Sequence, residues 1–196
     1  MRALGVDPGS RATGYGIVES RGRELILIAA GVIRPPEGAL AARLSHIHAE
    51  LLQLIETWHP ELVAVEAVFT AHNARSALVL GHARGVALAA CGRAGLDVAE
   101  YAPAQVKSAV VGSGRASKPQ VQQMVRAILS LPRAPAADAA DALAVAICHL
   151  HGAPLRAAIQ RAAGPAKPSS SLATLGSRGK VRRAISTAPS RPRTPS

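Results

Sequence analysis

Residues 2–33 decide the fold, and they read RALGVDPGSRATGYGIVESRGRELILIAAGVI. This stretch contains three short apolar runs, Arg2 to Asp7, Ala12 to Glu19 and Arg23 to Ile33, and the turn signal Asp7-Pro8-Gly9-Ser10 follows the first of them. Short apolar runs with tight connections are typical of antiparallel strands. We therefore expect the chain to begin with a three-stranded antiparallel meander.

Helices and strands alternate after the meander. Leu40, Leu44 and Ile47 recur at helical spacing, which predicts an amphipathic helix over Ala39 to Trp58. The run LVAVE at 62–66 has the composition of a strand that is buried on both faces. The remaining predicted elements are a helix over Ala74 to Ala94, a strand over Leu96 to Tyr101, and helices over Pro103 to Val110, Val121 to Ser130 and 136–150. Together they predict an α/β protein with a mixed five-stranded sheet and helices on both faces.

Positive charge is concentrated at one end of the 196-residue chain, which has a formal net charge of +11. Residues 1–152 hold 14 basic and 12 acidic groups, whereas residues 153–196 hold 9 basic groups and no acidic one. The second segment is also rich in Pro, Ser and Gly, a composition that cannot bury enough apolar surface to offset the entropy of ordering. We therefore expect a folded domain over 1–152 and a disordered basic tail over 153–196. The tail either attracts phosphate backbones or serves only as a solubilising extension.

Composition also excludes several classes of protein. Aromatic residues make up 2% of the chain, too few for repeated stacking platforms along a nucleic-acid strand. Cys91 and Cys148 lack the spacing of a zinc site or a disulfide framework, which fits a reducing compartment. No apolar run approaches the roughly 18 to 20 residues of a transmembrane helix, and no basic leader precedes Leu4. The sequence predicts a cytoplasmic protein with no membrane partner.

Acidic residues end two of the predicted strands. Asp7 closes the first strand and Glu66 closes LVAV, so the two carboxylates meet at one sheet edge if these strands are neighbours. Asp138 and Asp141 are three residues apart, which places them on one face of a helix, in its first turn. Asp7 is equally suited to a plain turn, and Asp138 to a helix cap. Glu66 is harder to explain as structural, because an unpaired charge at the end of an apolar strand is costly.

Converging carboxylates without local Lys or Arg partners would repel one another unless cations lay among them. Oxygen ligands of this kind suit Mg²⁺ or Mn²⁺. Two such ions about 3.5 to 4 Å apart form an arrangement that cleaves phosphodiesters, one activating water and the other stabilising the leaving oxygen. The acids therefore predict metal-dependent phosphodiester chemistry.

Five ordered motifs closely resemble the RuvC family of bacterial Holliday-junction resolvases: GVDPGSR at 5–11, TGYG at 13–16, VEAVF at 65–69, QVK at 105–107 and ADAADAL at 137–143. The resemblance runs from residue 2 to about residue 150. It implies an RNase H-like fold and a homodimer that nicks two opposed strands of a four-way DNA junction with Mg²⁺, in recombination and repair. The family acts with the branch-migration proteins RuvA and RuvB. By this resemblance the catalytic, metal-binding acids are Asp7, Glu66, Asp138 and Asp141.

The resemblance also marks candidate DNA contacts. Phe69 matches an aromatic residue that stacks on a base opened at the junction centre, although the residues alone favour an apolar plug under the next helix. Lys107 and Lys118 match basic residues that face DNA. With Arg115 they flank a loop over 111–117 whose glycines permit close approach to phosphates, and a solvated loop fits the same residues.

Two other functions compete with the nuclease. The segment DPGSR at 7–11 is also similar to the first phosphate loop of actin-like ATPases and sugar kinases, but the chain has no room for their second loop and second domain. A junction-binding protein without catalysis would keep the fold, and the four acids speak against it. The seven histidines are interpreted as surface or packing residues. Gly81, Gly85 and Ala89 form a smooth helix face, which suits either core packing or a subunit contact.

Overall fold

The computed structural model describes residues 1–67 and 74–163. The strands are β1 (Arg2–Asp7), β2 (Thr13–Arg21), β3 (Glu24–Ile33), β4 (Leu62–Glu66) and β5 (Val98–Tyr101). The helices are α1 (Leu40–Trp58), α2 (Ala74–Arg93), α3 (Pro103–Val111), α4 (Lys118–Ile128) and α5 (Ala137–Ala163). Each predicted element is present, with ends that differ by a few residues except in α5.

The sheet has the strand order β3-β2-β1-β4-β5. Strands β1 and β3 both pair antiparallel with β2, whereas β4 pairs parallel with both β1 and β5. The predicted meander and the predicted mixed five-stranded sheet are therefore confirmed. Because β1, β3, β4 and β5 run in one direction, all four end at the same edge of the sheet.

Helices cover both faces of the sheet, as predicted. On one face, α1 and α2 bury Ile47 and Leu51 against Leu4, Val6 and Val65. On the other face, α3, α4 and α5 enclose a second cluster, and α5 contacts β1, β2 and β4 directly. The long helix α5 is thus the element that spans the middle of the sheet.

The two faces of β1 differ in the size of their side chains. Successive residues of a strand point to opposite faces, so Leu4 and Val6 face α1 and α2, and Ala3 and Gly5 face α5. A Cβ atom on Gly5 would lie 2.1 Å from the carbonyl oxygen of Ala142. No side chain fits between this part of β1 and α5, so the helix backbone rests directly on the strand.

Helix α5 is longer than predicted, because it continues past residue 150 to Ala163. Residues 153–163 are rich in Ala and also contain Leu, Gln and Arg, all of which favour helix. The sequence assigns these residues to the basic tail because they contain no acidic group, but the absence of acidic groups does not prevent a helix. Residues 164–196 lie outside the described part of the chain, as does Phe69.

The smooth face of α2 is exposed at Gly81, Gly85 and Ala89. A Cβ atom on either glycine would meet nothing within 4 Å. Two roles are predicted for this face, core packing and a subunit contact, and none of the residues in 1–67 and 74–163 packs against either glycine.

Two further observations concern the described ranges. Cys91 and Cys148 are both buried free thiols. None of the helices in residues 1–67 and 74–163 has the combination of length and apolar character that crossing a bilayer requires.

Candidate active site

Asp7 and Glu66 meet at the carboxyl ends of β1 and β4. The register pairs Val6 with Val65, so the acids that follow them are neighbours. Because Val6 and Val65 face α1 and α2, alternation turns both acids to the α5 face. The two carboxyl groups share a hydrogen bond. Burial, reinforced by the charge of Glu66, raises the pKa of Asp7 well above its usual range, and burial also raises the pKa of Glu66.

The first turn of α5 reaches this pair because the helix lies on glycines of the sheet. Gly14 of β2 stands opposite Asp7 in the register. A Cβ atom on Gly14 would lie 2.0 Å from the carbonyl oxygen of Asp138. This close approach brings Asp141 near enough to raise the pKa of both Asp7 and Glu66 further. Three of the four predicted acids therefore converge.

Lys118 forms an ion pair with Asp141, with 2.8 Å between Nζ and Oδ2. A hydrogen bond to Asp141 raises the pKa of Lys118. The lysine lies in the first turn of α4, and the start of that helix is fixed by a 2.8 Å hydrogen bond from the Ser117 N–H to Oε1 of Gln120. The predicted basic residue is thus placed against the acids by a local capping interaction.

Lys107 and Lys118 line one cavity beside the acids. Its volume is about 210 Å³, and Glu66 and Asp141 form part of its wall. The charge of Lys107 opposes the rise in the pKa of Glu66 that burial causes. A water molecule occupies about 30 Å³ of liquid, so the cavity has room for a phosphate-sized anion and its ligands. Two carboxylates and two ammonium groups therefore share one small space.

Asp138 is the predicted acid that the structure sets apart. Its Oδ2 lies 3.8 Å from Nη2 of Arg34, and 40% of its side chain is exposed, against 19% for Asp141. Asp141 and not Asp138 is among the main causes of the raised pKa values of Asp7 and Glu66. Across the described ranges, no three acidic, histidine or cysteine side chains are grouped closely enough to hold one ion. Each acid of α5 is instead paired with a cation of the chain.

The described residues do not place the other two predicted DNA contacts beside the acids. Phe69 is not described. Arg115 is exposed, does not line the cavity, and bonds to Ser113 through its backbone N–H, at 3.4 Å from Oγ. The sequence indicates that Arg115 is exposed, because it lies in a glycine-containing loop, but it does not specify the direction of the arginine side chain.

A partly buried polar cluster adjoins the site and was not predicted. Tyr101 is the register partner of Glu66, and its hydroxyl lies 2.9 Å from Nδ1 of His149 and 3.0 Å from Nη1 of Arg156. A guanidinium can only donate, so the tyrosine oxygen accepts from Arg156. A neutral His149 that keeps its proton on Nε2 accepts the tyrosine proton at Nδ1. The neutral form is favoured because burial lowers the pKa of His149. The partners are 48 and 55 residues apart in the chain, so no local pattern could reveal the cluster.

His149 should make the stability of the domain depend on pH. Burial, followed by the charge of Arg156, lowers the pKa of His149 to about 4 from its ordinary 6.5. The unfolded chain takes up this proton at a higher pH than the folded one. The stability contribution is therefore complete above pH 6.5 and is lost as the pH falls toward 4. The amide oxygen of His149→Asn can accept a hydrogen bond near the position of Nδ1, and the side chain cannot be protonated. The melting temperature of this variant should therefore fall by a few degrees less than that of wild type between pH 7 and pH 4.

His151→Asn is the matched control for this measurement. His151 is exposed and two residues farther along α5. When thermal unfolding is measured from pH 7 to pH 4, the melting temperature of His151→Asn should fall by the same amount as that of wild type. Identical profiles for wild type and His149→Asn would contradict the assignment of the titrating group.

Comparisons with known proteins agree on one family. The family model for crossover junction endodeoxyribonuclease RuvC matches residues 3–149. RuvC of Halorhodospira halophila is 58% identical over 160 residues, which are 80% of this chain and 95% of that protein. RuvC of Alkalilimnicola ehrlichii is 51% identical over 161 residues, 82% of this chain and 98% of that protein. The structure of Thermus thermophilus RuvC in complex with a Holliday junction substrate matches with a TM-score of 0.75 at 38% identity, covering 80% of this chain and 96% of that one.

The match includes all five strands, the two acids at the sheet edge and the two acids of α5. It agrees with the RNase H-like arrangement of the sheet and leaves the actin-like ATPase and sugar-kinase alternative without support. The chain belongs to the RuvC family of crossover junction endodeoxyribonucleases, the Holliday-junction resolvases.

Proposed function

We propose that this chain resolves four-way DNA junctions by nicking two opposed strands at symmetric positions. The observation that carries the proposal is the convergence of Asp7, Glu66 and Asp141 beside a cavity that Lys107 and Lys118 line. Phosphodiester hydrolysis needs carboxylates next to ammonium groups, because metal ions and an anionic phosphate must occupy adjacent positions. Family membership and the likeness to Thermus thermophilus RuvC, which was solved with a Holliday junction substrate, support a junction as the substrate.

The acids are the groups that would hold Mg²⁺, for which Mn²⁺ can substitute, and we propose two ions in each site. The donor set fits hard cations, because it consists of carboxylate oxygens from Asp7, Glu66, Asp138 and Asp141. The raised pKa values of Asp7 and Glu66 are further support, since burial and the charge of neighbouring acids leave this pair in need of positive charge. When bound, such ions activate water and stabilise the leaving oxygen.

The two lysines would position the phosphate. Lys118 is 74% exposed, so its ammonium can turn from Asp141 to an oxygen of an incoming phosphate with little rearrangement. That movement would free Asp141 to act as a metal ligand. Lys107 would hold the phosphate from the side of Glu66. Binding of DNA and completion of the acid site are then coupled through the ion pair of Lys118 and Asp141.

Paired nicks at symmetric positions require two sites related by a twofold axis, so the proposal includes a homodimer. The smooth face of α2, formed by Gly81, Gly85 and Ala89, supports this contact because a second helix could approach it closely. Leu78 extends the same face and is 65% exposed. An exposed leucine beside small residues is a surface that a second copy of the chain would cover.

Several finer assignments complete the proposal on the basis of family membership and composition. Phe69 would stack on a base at the junction centre, and Arg115 would contact phosphates. The nuclease domain would comprise 1–152, with 153–196 as a basic extension that attracts DNA without sequence preference. RuvA and RuvB would be the partners, and the cytoplasm the place of action.

A strand-resolved cleavage assay tests the proposed function. With Mg²⁺, the purified full chain should nick a synthetic four-way junction at symmetric positions on two opposed strands. We expect a rate at least about 100-fold above that on a linear duplex of the same sequence. Separate end labels on the four strands identify the nicks, and EDTA should abolish them. Equal cutting of junction and duplex would indicate a general nuclease and contradict the proposal.

A further inference from the structure

Three arginines surround a second cavity, next to Asp138. We call it the arginine groove; its volume is about 530 Å³, and it is lined by Arg11, Arg34, Pro35, Glu37, Gly38 and Arg43. Residues 1–152 are nearly neutral, with 14 basic and 12 acidic groups. Three guanidinium groups against two carboxylates, Glu37 in the lining and Asp138 beside Arg34, therefore leave a local excess of positive charge.

Two of the three arginines, Arg11 and Arg43, form no ion pair with any residue in 1–67 or 74–163. Arg11 is exposed and forms no hydrogen bond or ion pair with any residue in 1–67 or 74–163. Arg43 donates a 3.3 Å hydrogen bond from Nη1 to the carbonyl oxygen of Gly38. Guanidinium donors of this kind match the geometry of phosphate oxygens.

The arginine groove adjoins the acid site along the sheet edge. Arg34 follows β3 and lies 3.8 Å from Asp138. Strand β3 ends at the same edge as β1, with β2 between them, so the end of β3 is about 10 Å from Asp7. The cavity of Lys107 and Lys118 lies on the opposite side, toward β4 and β5. Cations therefore flank the acids on both sides.

We propose that the arginine groove binds the phosphate backbone of the cleaved strand, on the side of the acids away from Lys107. This inference rests on the proposed function. A DNA strand carries one charge for about every 3.4 Å of rise, so 10 Å corresponds to roughly two or three nucleotides from the scissile phosphate. Holding the strand at two points would fix the scissile phosphate at the acids without reading the bases.

Junction binding in EDTA tests the inference without cleavage. We expect Arg11→Gln and Arg43→Gln each to reduce the slope of log affinity against log salt by about 0.7 to 0.9, the loss of one phosphate contact. Affinity should fall about five- to tenfold at fixed salt. Arg43→Lys keeps the charge and should restore the slope.

The matched control is Arg23→Gln. It makes the same change of charge at an exposed arginine beside the other end of β3, roughly 30 Å from Arg34. This variant should keep the wild-type slope and affinity. Thermal unfolding checks that the variants fold. Arg11 is exposed and forms no hydrogen bond or ion pair in the described ranges, so the folding of Arg11→Gln should be unaffected.

The outcomes separate this inference from the proposed function. Wild-type slopes and affinities for both Arg11→Gln and Arg43→Gln would overturn the inference and leave the nuclease intact. The occupant would then be another anion, such as an acidic segment of a protein partner. Failure of the wild-type chain to bind a junction would overturn both.

Discussion

Asp7→Asn should reduce junction cleavage by at least about a thousandfold and leave junction binding nearly unchanged. An amide at this position cannot supply the anionic oxygen that a metal ion requires, and several kcal/mol of transition-state stabilisation would be lost. Burial and Glu66 already raise the pKa of Asp7. The neutral amide should therefore be tolerated by the fold, and the melting temperature should be equal to that of wild type or higher.

Three measurements check this expectation: strand-resolved cleavage, junction binding in EDTA and thermal unfolding. Asp97→Asn is the matched control, since Asp97 is an exposed carboxylate just before β5 and should tolerate the same change without loss of activity. Glu66→Gln and Asp141→Asn should behave as Asp7→Asn does. Asp7→Asn with wild-type cleavage would remove this residue from the catalytic set.

The same loss is expected for Asp138→Asn, and this variant is informative for a separate reason. In the structure Asp138 faces Arg34, whereas Asp141 faces Lys118. Loss of cleavage would mean that Asp138 turns into the site when metal and DNA bind. A wild-type rate would mean that Asp7, Glu66 and Asp141 are sufficient.

Gly14→Ala should damage the enzyme more than any other addition of one methyl group that we consider. The new Cβ atom would lie 2.0 Å from the carbonyl oxygen of Asp138 and 2.7 Å from its carbonyl carbon. These are backbone atoms, so a change of rotamer cannot relieve the overlap. Such overpacking costs about 3 kcal/mol, which corresponds to a fall in melting temperature of about 6 to 12 °C.

Cleavage by Gly14→Ala should fall about 100-fold or more, because α5 must move and carries Asp138 and Asp141 with it. Gly92→Ala is the matched control, since a Cβ atom there would meet nothing within 4 Å and alanine favours the helix. Calorimetry and the cleavage assay should both separate the two variants. A Gly14→Ala protein with wild-type rate and stability would show that α5 does not depend on this contact.

The parts of the structure that sequence predicts well are those set by local patterns. The meander and β4 follow from short apolar runs, and the meeting of Asp7 and Glu66 follows from their places at strand ends. The end of α5 was not predictable in this way. Arg156 ties the extension of α5 to the sheet through the hydroxyl of Tyr101, a contact that exists only after the sheet has formed.

The electrostatic surroundings of the acids were the harder part of the site to predict. Spacing on a helix places Asp138 and Asp141 on one face, but the rotation of α5 decides that one meets Arg34 and the other Lys118. A signal for Arg34 was nevertheless present in the sequence. The third strand of a meander ends at the same edge as the first, so the residue after Ile33 had to lie near the edge that holds Asp7.

The two faces of β1 carry side chains of different size, and this difference divides the molecule into two regions that tolerate substitutions to different degrees. Between the sheet and α1 or α2 lies a layer of large side chains, such as Leu4 and Ile47, that can exchange volume with their neighbours when one of them changes. Between the sheet and α5, at Gly5 and Gly14, backbone rests on backbone and leaves no such layer. An engineer who seeks a more stable protein should therefore redesign the first region and leave the second untouched, because displacement there moves Asp138 and Asp141, the acids proposed to act in catalysis.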